Sequence, residues 1–117
     1  MLINADGAFE FSFKRTPAVM RAYGEEFTLP VRNAEFLDRL IAADKKILTA
    51  KTGIGRAEGY LEGIITFIGE DAARRIFPSV SEADIDEMQA FYGALAEAVK
   101  QKSAELIKAK YGNDDIQ

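Results

Sequence analysis

Apolar residues recur along the chain at two different periods, and Gly, Pro and helix-capping residues punctuate them. Residues 1–13 carry the two-residue period of a strand. Leu2-Ile3-Asn4 is short and apolar, Asp6-Gly7 is a turn dipeptide, and Phe9-Glu10-Phe11-Ser12-Phe13 alternates so that its three rings share one face. This predicts an N-terminal β-hairpin. A lone hairpin is marginal in water, so its Phe face must lie on helices or its edge must pair with another chain. Thr16-Pro17 then reads as an N-cap with Pro at the first helical position, opening a short helix to about Glu26 with Val19, Met20, Tyr23 and Phe27 as its stripe. Residues 27–31 read as an extended link or brief strand, with Pro30 against a central strand.

From Asn33 onward the period is helical. A helix over residues 34–51 carries Phe36, Leu37, Leu40, Ile41, Ile47 and Leu48 as one broad apolar face and ends at Gly53 and Gly55. The most apolar helix, residues 56–68, turns Leu61, Ile64, Ile65 and Ile68 one way and stops at Gly69. A short helix over 70–77 is closed by Pro78. Ser81-Glu82-Ala83-Asp84 resembles a capping box, and the helix behind it runs to Tyr111, where Gly112 terminates it. About 28 residues at ~1.5 Å each make a rod of roughly 40 Å, with a heptad-like seam of Ile85, Met88, Tyr92, Leu95, Val99 and Leu106. The last turns have little chain left to cover them, so the seam is a candidate partner surface at Met88, Tyr92, Leu95, Val99 and Leu106. The Phe9, Phe11, Phe13 hairpin is the other. The expected fold is mainly α with a small N-terminal β-hairpin (α+β), a helical bundle with a long C-terminal helix. It forms one domain over 1–117: hairpin 1–13, helical core 16–78, long helix 81–111, frayed tail 112–117.

Composition narrows the chemistry. The 117 residues contain no His, no Cys and no Trp. That excludes disulfides, thiolate nucleophiles, Cys-ligated metals, imidazole bases and the Ser-His-Asp triad. Carboxylates, Lys, Tyr and backbone amides remain; enzymes can be built from them, but with imidazole and thiol chemistry gone a non-enzymatic protein is expected. Acids gather at the start of the last helix (Glu82, Asp84, Asp86, Glu87) and lysines at its end (Lys100, Lys102, Lys108, Lys110), as the helix dipole favours. The net charge of −4 falls entirely in the last third. No basic run offers a nucleic-acid footprint. No apolar run approaches a membrane span, and the first residues predict no signal peptide. A soluble, cytoplasmic protein is expected.

Two glycine patterns bear on packing rather than chemistry. Thr52-Gly53-Ile54-Gly55-Arg56 follows a helix, not a strand, and lacks the Gly-Lys-Ser/Thr ending of a phosphate loop, so it reads as a helix–loop–helix turn. Gly55, Gly59 and Gly63 recur at four-residue steps, as do Ala90, Ala94 and Ala98. Small residues so spaced let helices approach closely, which predicts that the Gly ridge crosses the Ala ridge. The paired carboxylates Glu70/Asp71 and Asp84/Asp86/Glu87 are accounted for by capping and the dipole, and no catalytic, cofactor or metal residue is assigned.

The order of elements resembles the small tail assembly chaperones of siphophages and prophages of Gram-positive bacteria. The resemblance rests on the opening hairpin Leu2-Ile3-Asn4…Phe9-Glu10-Phe11-Ser12-Phe13, on a helix carrying Val19-Met20-Arg21-Ala22-Tyr23, and most specifically on Phe67-Ile68-Gly69-Glu70-Asp71-Ala72-Ala73-Arg74-Arg75-Ile76-Phe77 before a long last helix. It implies a non-enzymatic role in the host bacterial cytoplasm without cofactors: a homo-oligomeric chaperone that coats the tape-measure protein and brings tail-tube subunits to it. A head–tail connector or completion protein, or a small regulatory inhibitor-type binder, are the competing readings. A connector persists as a ring in the virion, and an inhibitor forms a one-to-one complex with one globular target.

Overall fold

The structure, a computed structural model, describes residues 2–3 and 7–108. The described residues are mainly helical, with four helices, small antiparallel hairpins at the N-terminal side and a long last helix. Strand β1 (Leu2–Ile3) pairs with β2 (Phe9–Glu10), Leu2 opposite Glu10 and Ile3 opposite Phe9. The strand predicted through Phe13 stops at Glu10.

The region predicted as a helix to Glu26 is instead a second hairpin. Strand β3 (Val19–Ala22) pairs with β4 (Glu25–Thr28) in the register Val19–Thr28, Met20–Phe27, Arg21–Glu26 and Ala22–Glu25. Tyr23 and Gly24 form its two-residue turn, both with positive φ (56° and 75°), the signature of a type I′ hairpin. The alternation in burial is clear in retrospect. Val19 and Arg21 face solvent, whereas Met20, Ala22 and Phe27 face the helices. Leu29 extends the pairing by donating its N–H to the Ala18 carbonyl at 2.8 Å.

Helix α1 (Ala34–Thr49) starts where Asn33 was expected to cap it, the Asn33 side chain accepting from the Phe36 N–H at 2.8 Å. Helix α2 (Gly53–Ile68) begins three residues before its predicted start. Thr52 caps it by accepting from the Gly55 N–H at 3.0 Å, so Gly53 and Gly55 belong to its first turn rather than to a loop. Gly69, at φ 90°, ends α2 and opens α3 (Glu70–Ile76). Helix α4 (Ile85–Ile107) is capped not by Ser81 but by Asp84, whose Oδ1 accepts from the Asp86 and Glu87 N–H groups at 2.9 and 3.3 Å. The predicted continuation to Tyr111, the Gly112 stop and the tail fall outside the described residues.

Helix α2 is the centre, as its composition suggested. Helix α1 packs along it and α4 crosses it. Ile64, Met88 and Leu95 are fully enclosed there, with Leu29 beneath the second hairpin. The predicted Gly–Ala ridge crossing does not occur. Gly59 lies against Ile47 of α1, and Gly63 lies against the Tyr92 ring of α4, while Ala90 and Ala94 face solvent. The close approach was foreseen; its partners are large side chains on two different helices.

Candidate protein-binding surfaces

The α4 seam faces inward. Met88, Leu95 and Val99 belong to the buried core against α2, so the expected client seam at these positions is corrected: folding of this chain uses that surface itself. Tyr92 is half-buried and donates its hydroxyl to Asp44 Oδ1 of α1 at 2.6 Å. Burial, and then the neighbouring Asp44 carboxylate, push its hydroxyl pKa up. Leu106 is half-buried near the end of α4, where Ile107 is exposed.

The N-terminal arm is the opposite case. Phe9 and Phe11 are 71% and 63% exposed and Phe13 is 37% exposed, although aromatic rings of this size usually end up covered. The Arg15 guanidinium sits 5.9 Å from the centre of the Phe13 ring. Among the described residues, neither β1 nor β2 makes an extensive contact with a helix. The molecule measures 62 × 32 × 25 Å with a radius of gyration of 18.2 Å. A compact chain of about 100 residues has ~13 Å.

A second set of exposed apolar residues lies on α1, where Ile41 and Leu48 point to solvent. The sequence pattern puts both on one broad apolar face with Phe36, Leu37, Leu40 and Ile47. The apolar face of α1 is wider than α2 covers, so Phe36, Ala43 and Ile47 are buried and the flank of the face is left in water. The width of that stripe was the available signal.

Glu70, Asp84 and Glu87 of the acidic clusters are engaged in structure. An open recess of about 350 Å³ is lined in part by Phe77, Glu82, Asp84 and Glu87. Of its acids, Asp84 caps α4 and Glu87 accepts the Tyr23 hydroxyl at 2.7 Å. Burial, then that contact, pushes the Tyr23 pKa up to about 12. Among the described residues no group of three or more Asp or Glu is placed to hold a metal ion, and no helix is long and apolar enough to cross a membrane. The chain matches no family model, no curated protein and no solved structure.

Proposed function

We propose that this chain is a non-enzymatic protein-binding factor of phage or prophage tail morphogenesis, an assembly chaperone for the tape-measure protein and tail-tube subunits. The observation that carries the binding part is the arm, where Phe9, Phe11 and Phe13 are exposed. Each ring that passes from water into an interface contributes on the order of 1.5–3 kcal/mol, and clustered aromatic anchors are the usual source of binding energy. The tail-specific part rests on the resemblance across residues 67–77 and on an opening hairpin and a long last helix; the helix that the resemblance places at Val19–Tyr23 is a hairpin here and lends no support. With the α4 seam buried, the client seat moves to the arm, with the Leu106–Ile107 end of α4 as a secondary contact.

Light scattering of the chain alone and mixed with a helical tape-measure fragment tests this. Many copies per fragment are expected, and Phe9→Ser/Phe11→Ser should abolish the association without changing the helical circular dichroism. A chain indifferent to the fragment would refute the tail-specific reading. A complex that survives loss of both rings would refute the arm. A ring of fixed stoichiometry in purified virions would move the assignment to a connector.

A further inference from the structure

We infer that the exposed flank of α1 is a two-fold self-association surface, on which a second copy of this chain docks its own α1 in antiparallel orientation. Ile41 and Leu48 are 64% and 82% exposed, and half-buried Leu37 completes a stripe at steps of four and seven residues along one side of the helix. Helical residues so spaced lie above one another, so the three form a continuous ridge rather than scattered apolar points.

The charges beside this ridge choose the occupant. Asp38 lies near its N-terminal end and Lys45 near its C-terminal end, and neither side chain has an ion-pair partner among the described residues. Their neighbours are engaged: Asp44 accepts the Tyr92 hydroxyl, and Lys46 pairs with Glu62 of α2. A two-fold axis passing close to Ile41 brings Asp38 of each copy to Lys45 of the other, Leu37 to Leu48, and Ile41 to Ile41. One self-complementary arrangement thus satisfies both charges twice and covers all three apolar side chains, as an isologous interface requires. In a parallel two-fold arrangement each copy's Asp38 and Lys45 lie on opposite edges of the contact and do not meet, so the charge pattern also fixes direction. The ridge is short, and the dimer it supports is correspondingly weak and concentration-dependent. It is independent of the tail-assembly reading and involves a different face from the arm.

Sedimentation equilibrium of the full chain over a concentration series reads this out. The expected result is a monomer–dimer equilibrium. Ile41→Asp or Leu48→Gln should weaken it at least about tenfold, with no change in circular dichroism because both positions are exposed. Asp38→Lys and Lys45→Asp should each weaken it about tenfold, since symmetry makes each reversal act twice, and the combined reversal should restore it to within about threefold. The arm variant Phe9→Ser/Phe11→Ser should leave it unchanged. A chain that stays monomeric to about 1 mM, a dimer insensitive to Ile41 and Leu48, or a dimer lost with the arm rings would each overturn the inference.

Discussion

A methyl group added at Gly63 would fall inside the Tyr92 ring, whereas one added at Gly93 meets nothing within 4 Å. Both glycines sit inside helices, where Ala is worth about 1 kcal/mol more. The two substitutions therefore separate helix propensity from packing. Gly93→Ala should raise stability by about 0.5–1 kcal/mol, and Gly63→Ala should lower it by about 1–3 kcal/mol because the ring must leave its place; urea denaturation reads both. Tyr92 and Tyr23 carry a second residue-scale consequence. Each donates its hydroxyl to a carboxylate and has a raised pKa, Tyr23 to about 12 from 10.0. Above pH 10 the unfolded chain releases these protons while the folded chain keeps them. Their contribution is complete below pH 10 and is lost as pH rises through the folded value. The Tyr23→Phe/Tyr92→Phe variant should show a shallower fall in stability between pH 10 and 12 than the parent, measured by denaturant midpoints.

At the scale of elements, the β3–β4 hairpin depends on a turn in which a tyrosine occupies left-handed backbone. That conformation costs an ordinary residue about 1–2 kcal/mol. It is held because the Tyr23 ring packs edge-on against Phe91 and Phe77, at 5.2 and 6.2 Å between centres, while its hydroxyl reaches Glu87. Gly24 has no such anchoring, and at φ 75° it has nothing within 4 Å of an added Cβ. Gly24→Ala should cost about 1 kcal/mol through backbone strain alone, seen as a lower thermal midpoint with the helical signal intact below it. The misreading of residues 17–26 as a helix belongs here. Thr16-Pro17 has helix-start chemistry, and Val19, Met20 and Tyr23 fit a helical stripe as well as Met20, Ala22 and Phe27 fit one face of a strand pair. Tyr-Gly is a weaker turn signal than Asn-Gly or Asp-Gly. Four apolar residues in ten cannot decide between the two periods; the surface offered by α4 does.

For the whole molecule, the arm and the body are separable in energetic terms. Among the residues whose burial is described, the buried ones begin at Ala18, just before the second hairpin, and Phe9 and Phe11 are exposed. Removing residues 1–13 should leave the helical circular dichroism unchanged and shift the thermal midpoint by no more than about 3 °C, while abolishing the association proposed for the arm. Collapse of the body on this truncation would show that the rings contribute to the fold and not to a partner.

Several features follow from the amino-acid order directly. Asn33 and Gly69 bound their helices by local hydrogen bonding and backbone freedom, chemistry that lies within four residues of each position. The apolar density of α2 made it central wherever its neighbours lay. What only the tertiary structure decided concerns which side of an amphipathic element finds a partner. Met88, Leu95 and Val99 are core because α4 lies across α2, although the same seam would serve equally well between chains. Ile41 and Leu48 are exposed because one helix covers only part of a broad face. Hydrophobic burial has no direction of its own. A sequence marks the residues that must leave water, and the packing of distant segments determines which are covered within the chain and which are left for another.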